Sequence, residues 1–346
     1  MVNGDLLRQL FRGHSKRDEP TFRAAAEAII QEERAKNHRL LADDLERILM
    51  NGSATQSERR LFPELPEIPK DKDRGFPLVD VAQFSHDWSR LVAAPRTVTP
   101  LQQIAEEHRR ADVLASGGLR PKQRVLFYGP PGCGKTLAAQ VLAGVLGYHL
   151  VTVRFDAVVS SLLGETAANL RRVFDFVQRG KWVVLFDEFD AIGKDRDNPF
   201  EHGELKRLVN TLLQLMDSFR GTSLLIAATN HEGLLDSAVW RRFEAVVPFN
   251  VPSVQDRVLL LRLFLKGFDC AQLNIEAVAR RMVEATGSDI ELLAIEAARR
   301  AVLAGRTSIL TDDVDPVLES FRQRLKVIRQ LSTLDDRNST KRKKRS

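Results

Sequence analysis

A glycine-rich run that ends in a lysine and a threonine is the segment of this chain best suited to chemistry. It reads Gly-Pro-Pro-Gly-Cys-Gly-Lys-Thr at positions 129–136, directly after the apolar run 124–128 and directly before a helical pattern. Such small residues let backbone amides approach phosphate oxygens, and the positive end of the following helix attracts anions. Lys135 is spaced to reach the β and γ oxygens of a nucleotide, and Thr136 to ligate Mg²⁺. The predicted phosphate-binding residues are Gly129, Pro130, Pro131, Gly132, Cys133, Gly134, Lys135, Thr136 and Leu137.

Two adjacent carboxylates follow another apolar run further along the chain. The run Trp182 to Phe186 predicts a buried strand, and Asp187 and Glu188 stand directly after it. Phosphoryl transfer depends on positioning and on charge stabilisation more than on covalent chemistry. Asp187 is suited to hold Mg²⁺ through its waters, and Glu188 is suited to polarise an attacking water as a base. The pair therefore predicts a hydrolytic centre beside the phosphate-binding run.

Short β-branched and aromatic runs alternate with helical patterns after Leu101. Continuous apolar strands separated by helices predict a parallel sheet that is covered on both faces. From Ser253 onward no strand pattern remains, and two capping pairs, Ser253 with Asp256 and Ser288 with Glu291, predict amphipathic helices. The predicted fold class is α/β, a five-stranded parallel sheet followed by an all-helical lid. The predicted strands are 124–128, 150–155, 182–186, 223–228 and 245–249.

The first hundred residues carry a different pattern. Phe22 to Leu49 predicts helix, but the charged stretch 31–39 interrupts its apolar stripe, so either two short helices or one helix exposed at its middle fits. Four prolines between 63 and 77 favour extended backbone. The predicted divisions are a helical N-terminal region 1–62, a Pro-containing linker 63–100, an α/β nucleotide-binding domain 101–250, a helical lid 251–330 and a basic tail 331–346.

Charge and composition narrow the class of protein. The formal net charge is +6, but five basic residues stand at 341–345, so the rest of the chain is almost neutral. Such a tail is typical of a solvated end, although weak, salt-sensitive attraction to nucleic acid or anionic lipid stays open. Cys133 and Cys270 lie far apart and predict neither a disulfide framework nor a zinc site. No apolar run approaches the roughly 18 to 20 residues that span a bilayer, so we expect a cytoplasmic protein without a membrane partner.

The motifs taken together resemble those of the AAA+ ATPases, and more closely their classic AAA branch, which includes FtsH and katanin. GPPGCGKT, FDEFDAIGK, AATN and DSAVWRRFE stand in the family's order between about Leu101 and Arg324, and residues 287–289 stand at its short lid signature. The resemblance implies that ATP with Mg²⁺ binds between the α/β domain and the lid. It also implies a homo-oligomeric ring, typically a hexamer, in which each pocket is completed by a neighbour.

Three further roles follow from the same resemblance. Asn230 matches the sensor residue that orients the attacking water near the γ-phosphate. Arg241 and Arg242 match arginine fingers, which enter the adjacent subunit's site and offset charge that develops on the transferred phosphoryl group.

This chain departs from the family pattern at three places. Cys133 puts a thiol where small or hydroxyl side chains are usual, and it either packs inertly or serves a redox role. Leu162 stands where threading members carry an aromatic residue in a loop that lines the ring's axis, and it either grips substrate or is a core residue. The adenine-contacting segment expected before Leu101 is not evident in residues 76–81.

The leading functional hypothesis is an ATP-driven ring that remodels, disassembles or unfolds a protein partner. The sequence has no H-E-x-x-H protease motif, so degradation would require a separate protease. The first hundred residues fit either an adaptor or a packing extension. The alternative is a nucleic-acid transaction ATPase, clamp-loader-like or a transposition helper, which the near-neutral body disfavours. A nucleotide-sensing scaffold with little turnover is disfavoured because Glu188, Asn230 and the arginine pair are all present.

Overall fold

The structure is a computed structural model that describes residues 6, 19–35, 66–72, 74–159, 165–188, 210–230 and 237–326. The chain divides into two compact units, Met1–Glu67 and Ile68–Ser346. In the first unit, helix α1 spans Glu19–Ala35 and buries Ala25, Ile29 and Ile30, which agrees with the helical spacing predicted there. The predicted loop around Leu162, the basic tail 331–346 and the region 36–49 of the predicted N-terminal helix lie outside the described residues.

The second unit contains a six-stranded sheet with the order β1-β3-β4-β5-β2-β6. Strand β1 is antiparallel to β3, and all the other neighbours are parallel. The mostly parallel α/β fold that the sequence predicts is therefore confirmed, and β2 to β6 match the predicted strands to within two residues at each end. The strands are β1 (Val79–Ala82), β2 (Arg124–Tyr128), β3 (His149–Val153), β4 (Trp182–Phe186), β5 (Leu224–Thr229) and β6 (Ala245–Pro248).

The predicted count of five strands is wrong because it omits β1. This strand has four residues, lies inside the predicted linker 63–100 and carries no run long enough to show a period. It exists because it pairs with the edge of β3, where Val79 stands opposite Val153. Val79 and the preceding Leu78 are both buried, so packing against a distant part of the chain stabilises this strand.

Helices connect the strands of the sheet and cover its faces. In β4, Val184 and Phe186 pack into one apolar cluster, whereas Val183 and Leu185 pack into a second cluster on the opposite face. Both faces of this strand are therefore covered, as its continuous apolar sequence requires. The helices are α2 (Pro95–Arg109), α3 (Ala111–Ser116), α4 (Lys135–Leu146), α5 (Phe155–Val158), α6 (Glu165–Val177), α7 (described over 210–218) and α8 (Ser237–Trp240).

The last part of the described chain is helical and has its own apolar cluster, which includes Leu261, Ile290 and Leu318. Its helices are α9 (Val254–Phe264), α10 (Ile275–Arg281), α11 (Gly287–Leu303) and α12 (311–326), which together are called the lid here. Across the ranges that the structure describes, no helix combines the length and the apolar character needed to cross a membrane.

The two predicted capping pairs of the lid have different outcomes. Ser253 and Asp256 form a capping box at the start of α9, as predicted. The second pair was placed wrongly, because α11 is capped by Thr286 with Asp289 rather than by Ser288 with Glu291. The backbone is still extended at Thr286 and helical from Gly287, so Ser288 already lies within the first turn.

Candidate functional site

A cavity of about 510 Å³ lies where the carboxyl ends of the strands meet the lid. This volume is typical of a pocket for a nucleotide-sized ligand. The predicted residues Asp187, Glu188 and Asn230 all line it, whereas neither Arg241 nor Arg242 does. The other lining residues used below are Pro131, Gly132, Cys133, Gly134, Lys135, Thr136 and Leu137 from the glycine-rich loop, residues 90–94, Arg96 and Thr97, and Leu260, Phe264, Gly287 and Ser288 from the lid.

Two glycines fix the shape of the glycine-rich loop. Gly129 has a φ of 134°, and a Cβ built on it lies 1.8 Å from the carbonyl oxygen of Phe249. Gly132 has a φ of 72°, and its Cβ would lie 2.8 Å from Thr286 Oγ1. No side chain fits at Gly129, and one fits at Gly132 only if the lid gives way. The backbone N–H of Ser288 also donates to the carbonyl oxygen of Gly132 at 3.1 Å, so the loop contacts the lid directly.

The Lys135 ammonium is buried at the first residue of α4 and lies beneath the loop. It donates hydrogen bonds to the carbonyl oxygens of Gly129 at 2.7 Å and Pro130 at 2.9 Å, and to Asn230 Oδ1 at 2.7 Å. Asn230 reaches it because β2 and β5 are adjacent and parallel, so the residues that follow them meet at one edge of the sheet. Phosphate oxygens in the loop would be further acceptors for the same ammonium.

Thr136 and Asp187 form the predicted metal-binding pair. Thr136 Oγ1 donates a hydrogen bond to Asp187 Oδ2 at 2.7 Å. A hydroxyl and a carboxylate oxygen are the hard donors that Mg²⁺ prefers, and Mg²⁺ usually takes only one or two carboxylates together with substrate phosphates. The two side chains therefore fit the metal, and they stand beside the loop that fits the phosphates.

Glu188 has an unusual backbone for a residue with a side chain. Its φ is 50°, and its N–H donates to Asp187 Oδ1 at 2.9 Å. Positive φ costs energy in non-glycine residues, and such residues cluster at functional sites. Glu188 is exposed and lines the cavity.

Arg241 and Arg242 differ in their surroundings. Arg241 is exposed, whereas Arg242 is partly buried and its Nη1 lies 3.2 Å from Asp217 Oδ2 in an ion pair. The other oxygen of the same carboxylate accepts from Arg124 Nη1 at 3.1 Å. Sequence reasoning missed Asp217, because it lies in the last turn of α7 and belongs to no motif that the residues alone reveal.

Sequence reasoning also missed the segment 90–97, of which every residue except Pro95 lines the cavity. The segment follows a short 3₁₀ helix, Trp88–Arg90, and the Asp87 side chain caps that helix by accepting from Ser89 N at 2.8 Å. Thr97 Oγ1 then donates to the carbonyl oxygen of Pro248, at the end of β6, at 2.6 Å. The segment thus brings apolar side chains to the cavity, whereas residues 76–81, where such a segment was sought, contribute nothing to its lining.

Cys133 lies half-buried on the cavity wall. Burial raises the pKa of its thiol; the Lys135 ammonium opposes this shift and the Asp289 carboxylate adds to it. At neutral pH the thiol is therefore protonated and a weak nucleophile, which fits inert packing better than redox chemistry.

Comparisons with known proteins agree with these features. The model of the ATPase family associated with various cellular activities (AAA) matches residues 125–251. An uncharacterized AAA family ATPase, y4kL of Sinorhizobium fredii, is 36% identical over 329 residues, which cover 94% of this chain and 97% of that protein. The chain therefore belongs to the AAA ATPases, of the branch that its motifs resembled, and it is an ATP hydrolase.

Two named relatives are more distant. The proteasome-activating nucleotidase of Thermococcus kodakarensis is 28% identical over 291 residues, which cover 80% of this chain and 72% of that protein. The ATP-dependent zinc metalloprotease FtsH 2 of Symbiobacterium thermophilum is 33% identical over 228 residues, which cover 63% of this chain and 39% of that protein.

Proposed function

We propose that this chain uses ATP hydrolysis to remodel, disassemble or unfold a protein partner, and that it acts as a ring with shared active sites. We infer a shared active site from the position of the arginine pair. Asp187, Glu188 and Asn230 line the cavity, but Arg241 and Arg242 do not. If this arginine pair stabilises the transition state, it acts in the site of a neighbouring subunit, and a closed ring, such as a hexamer, supplies one neighbour to every site.

A protein substrate is supported by the two named relatives. One is a nucleotidase that activates a proteasome, and the other is an ATP-dependent protease. The chain itself carries no H-E-x-x-H motif, so it would act on its partner mechanically or deliver it to a separate protease.

ATP fits the cavity with its phosphates in the glycine-rich loop. The loop amides and the Lys135 ammonium then face the phosphate oxygens, as in other phosphate-binding loops at a helix start. Apolar side chains on residues 91–92 and on the lid, Leu260 and Phe264, line the same cavity and offer a surface for the base. A purine ring there would lie partly between the α/β domain and the lid, so binding would draw the two together.

Hydrolysis then depends on Glu188 and Asn230, which follow strands β4 and β5. Glu188 accepts a proton from the attacking water, and Asn230 orients that water through its amide. Magnesium, held by Thr136 and Asp187, would neutralise charge on the phosphate oxygens. The arginine fingers of the adjacent subunit would offset the charge that develops on the transferred phosphoryl group.

Motion reaches the lid through the glycine-rich loop. Ser288 N of the lid donates a hydrogen bond to the carbonyl oxygen of Gly132 in the loop. A change in the loop's position on hydrolysis would therefore move the start of α11 directly. A lid that shifts with each turnover is a means of moving a neighbouring subunit or a bound polypeptide.

The experiment compares the stimulation of ATP turnover by an unfolded protein with that by DNA. An unfolded protein such as reduced, carboxymethylated lactalbumin is expected to stimulate the rate at both low and moderate salt, whereas single-stranded DNA is expected to leave it unchanged. Stimulation by DNA that falls steeply with salt would overturn the proposal in favour of a nucleic-acid ATPase. A Glu188→Gln variant, which should hold ATP without hydrolysing it, is the form in which to capture the natural partner.

A further inference from the structure

Residues 286–289 lie at one edge of the cavity, on the side of the lid. Gly287 and Ser288 line the cavity, and Ser288 N donates to the carbonyl oxygen of Gly132 at 3.1 Å. A Cβ on Gly132 would lie 2.8 Å from Thr286 Oγ1, so these residues and the glycine-rich loop are in close contact. A small displacement of residues 286–289 therefore changes the space available to the phosphates.

Asp289 holds this edge in place with one of its two carboxylate oxygens. Asp289 Oδ2 accepts from Thr286 N at 3.0 Å and from Thr286 Oγ1 at 2.8 Å. These bonds close the capping box that begins α11. They fix the backbone at the residue directly before Gly287, where the chain enters the cavity wall.

The other carboxylate oxygen is bound by a different helix. Arg324, on α12, donates from Nη2 to Asp289 Oδ1 at 2.9 Å. Its guanidinium also lies 5.9 Å from the ring centroid of Phe321, which stands one turn earlier on α12. The Asp289 side chain is 22% exposed and that of Arg324 is 44% exposed, so solvent screens this ion pair only in part.

We propose that Arg324 is a positioning residue for ATP binding, and that it acts by holding the Asp289 carboxylate in the orientation that keeps residues 286–289 against the glycine-rich loop. The inference rests on the placement of ATP in this cavity. Arg324 is not a lining residue of the cavity, so its effect on the nucleotide passes through Asp289. Helix α12 thereby becomes an element whose position on the lid sets the affinity for ATP.

The expected effect is on binding more than on chemistry. Residues 286–289 contact the loop that holds the phosphates, while the catalytic side chains Glu188 and Asn230 stand at the ends of β4 and β5. Loss of an interaction that is equally strong in the ground state and in the transition state raises KM and leaves kcat almost unchanged. Arg324→Ala is therefore expected to raise the Kd for ATP about three- to fivefold, the scale of a loosened cap and a lost, partly exposed ion pair.

The experiment measures Kd with a fluorescent ATP analogue, together with kcat and KM, on the full chain. Arg324→Lys keeps a charged donor and is expected to recover part of the affinity. Arg281→Ala is the matched control, because Arg281, on α10, pairs at 2.6 Å with Asp315 of α12, the helix that carries Arg324, and neither of them lines the cavity. We expect Arg281→Ala to match Arg324→Ala in thermal stability and to bind ATP like the wild type.

A double-mutant cycle with Asp289→Asn tests the route of the effect. If Arg324 acts through Asp289, adding Arg324→Ala to Asp289→Asn weakens ATP binding no further. Unchanged affinity in Arg324→Ala, an equal loss in Arg281→Ala, or additive losses in the double variant would each overturn the proposal.

A parallel measurement distinguishes a failure of the Arg324 proposal from a failure of the placement of ATP in this cavity. Lys135→Ala is expected to abolish binding of the same analogue, because its ammonium would hold the phosphates. If Lys135→Ala binds normally, ATP does not occupy this cavity and both ideas fail. If Lys135→Ala loses binding while Arg324→Ala does not change it, the role of Arg324 alone is refuted.

Discussion

Lys135 Nζ and Asn230 Oδ1 are joined by a hydrogen bond of 2.7 Å, although the two residues are 95 positions apart in the sequence. The bond connects the loop that would bind the phosphates with the residue that would orient the attacking water. It arises from topology, since β2 and β5 are paired in parallel and their carboxyl ends coincide. The proposed binding and hydrolysis roles therefore meet at one ammonium group, whereas Glu188, the proposed base, follows a third strand, β4.

Lys135→Ala and Glu188→Gln are expected to have separable defects. The first removes the only side-chain cation predicted to hold the β and γ oxygens and should abolish ATP binding. The second leaves the phosphate-binding loop and the Asp187 carboxylate unchanged, so it should bind ATP normally. Its hydrolysis should slow by about 10² or more, the scale of a lost base. Equilibrium binding and steady-state turnover on both variants check this. Normal hydrolysis by Glu188→Gln would mean that another group activates the water.

Gly132→Ala should weaken ATP binding because of a clash with the lid. An alanine there would adopt a φ near 72°, and its Cβ would press on Thr286 and Ser288. Gly147→Ala is the matched control, since Gly147 has a φ of 68° but nothing lies within 4 Å of its Cβ. Both variants should lose about 1 to 2 kcal/mol of stability from backbone strain. Only Gly132→Ala should also lose ATP affinity, and equal affinities in a titration would show that the loop and the lid separate freely.

Cys133 should react slowly with thiol reagents, with a pH profile shifted upward. Burial raises the pKa of this thiol, so its thiolate form accumulates only above the pH at which an ordinary cysteine ionises. Alkylation by iodoacetamide in a Cys270→Ser background, followed against pH, is the measurement. Bound ATP with Mg²⁺ should protect Cys133, because the residue lines the cavity. A midpoint at or below the ordinary thiol pKa, or no protection by ATP, would contradict this placement, and Cys133→Ser should not react at all.

Much of the site was predictable because its parts lie at the ends of strands with strong local patterns. The run after β2, the carboxylates after β4 and Asn230 after β5 each follow a continuous apolar segment, and parallel pairing brings such ends together. What the sequence did not reveal depends on long-range contacts. Strand β1 exists only by pairing with β3, and residues 90–97 reach the cavity because Thr97 is bound to Pro248.

The remaining errors have different causes. Thr286 and Ser288 are both good helix caps, and each precedes an acidic residue three positions later, so the pattern alone does not decide where α11 begins. The structure selects Thr286, since Ser288 N is used in the contact with Gly132. The Asp217 partner of Arg242 was missed for a different, long-range reason, since nothing in a single sequence links the last turn of one helix to an arginine beyond the next strand.

The most direct test of a shared active site is ATP turnover in mixtures of two inactive variants. One variant carries Arg241→Ala and Arg242→Ala and keeps its own Glu188, whereas the other carries Glu188→Gln and keeps both arginines. If the arginines act on a neighbour, mixed rings contain pockets in which an intact base meets intact arginines, and turnover should exceed the sum of the two variants alone. Each variant should also retain the assembly size of the wild type. Mixtures that stay as inactive as their components, or full wild-type turnover in a demonstrated monomer, would contradict the shared site.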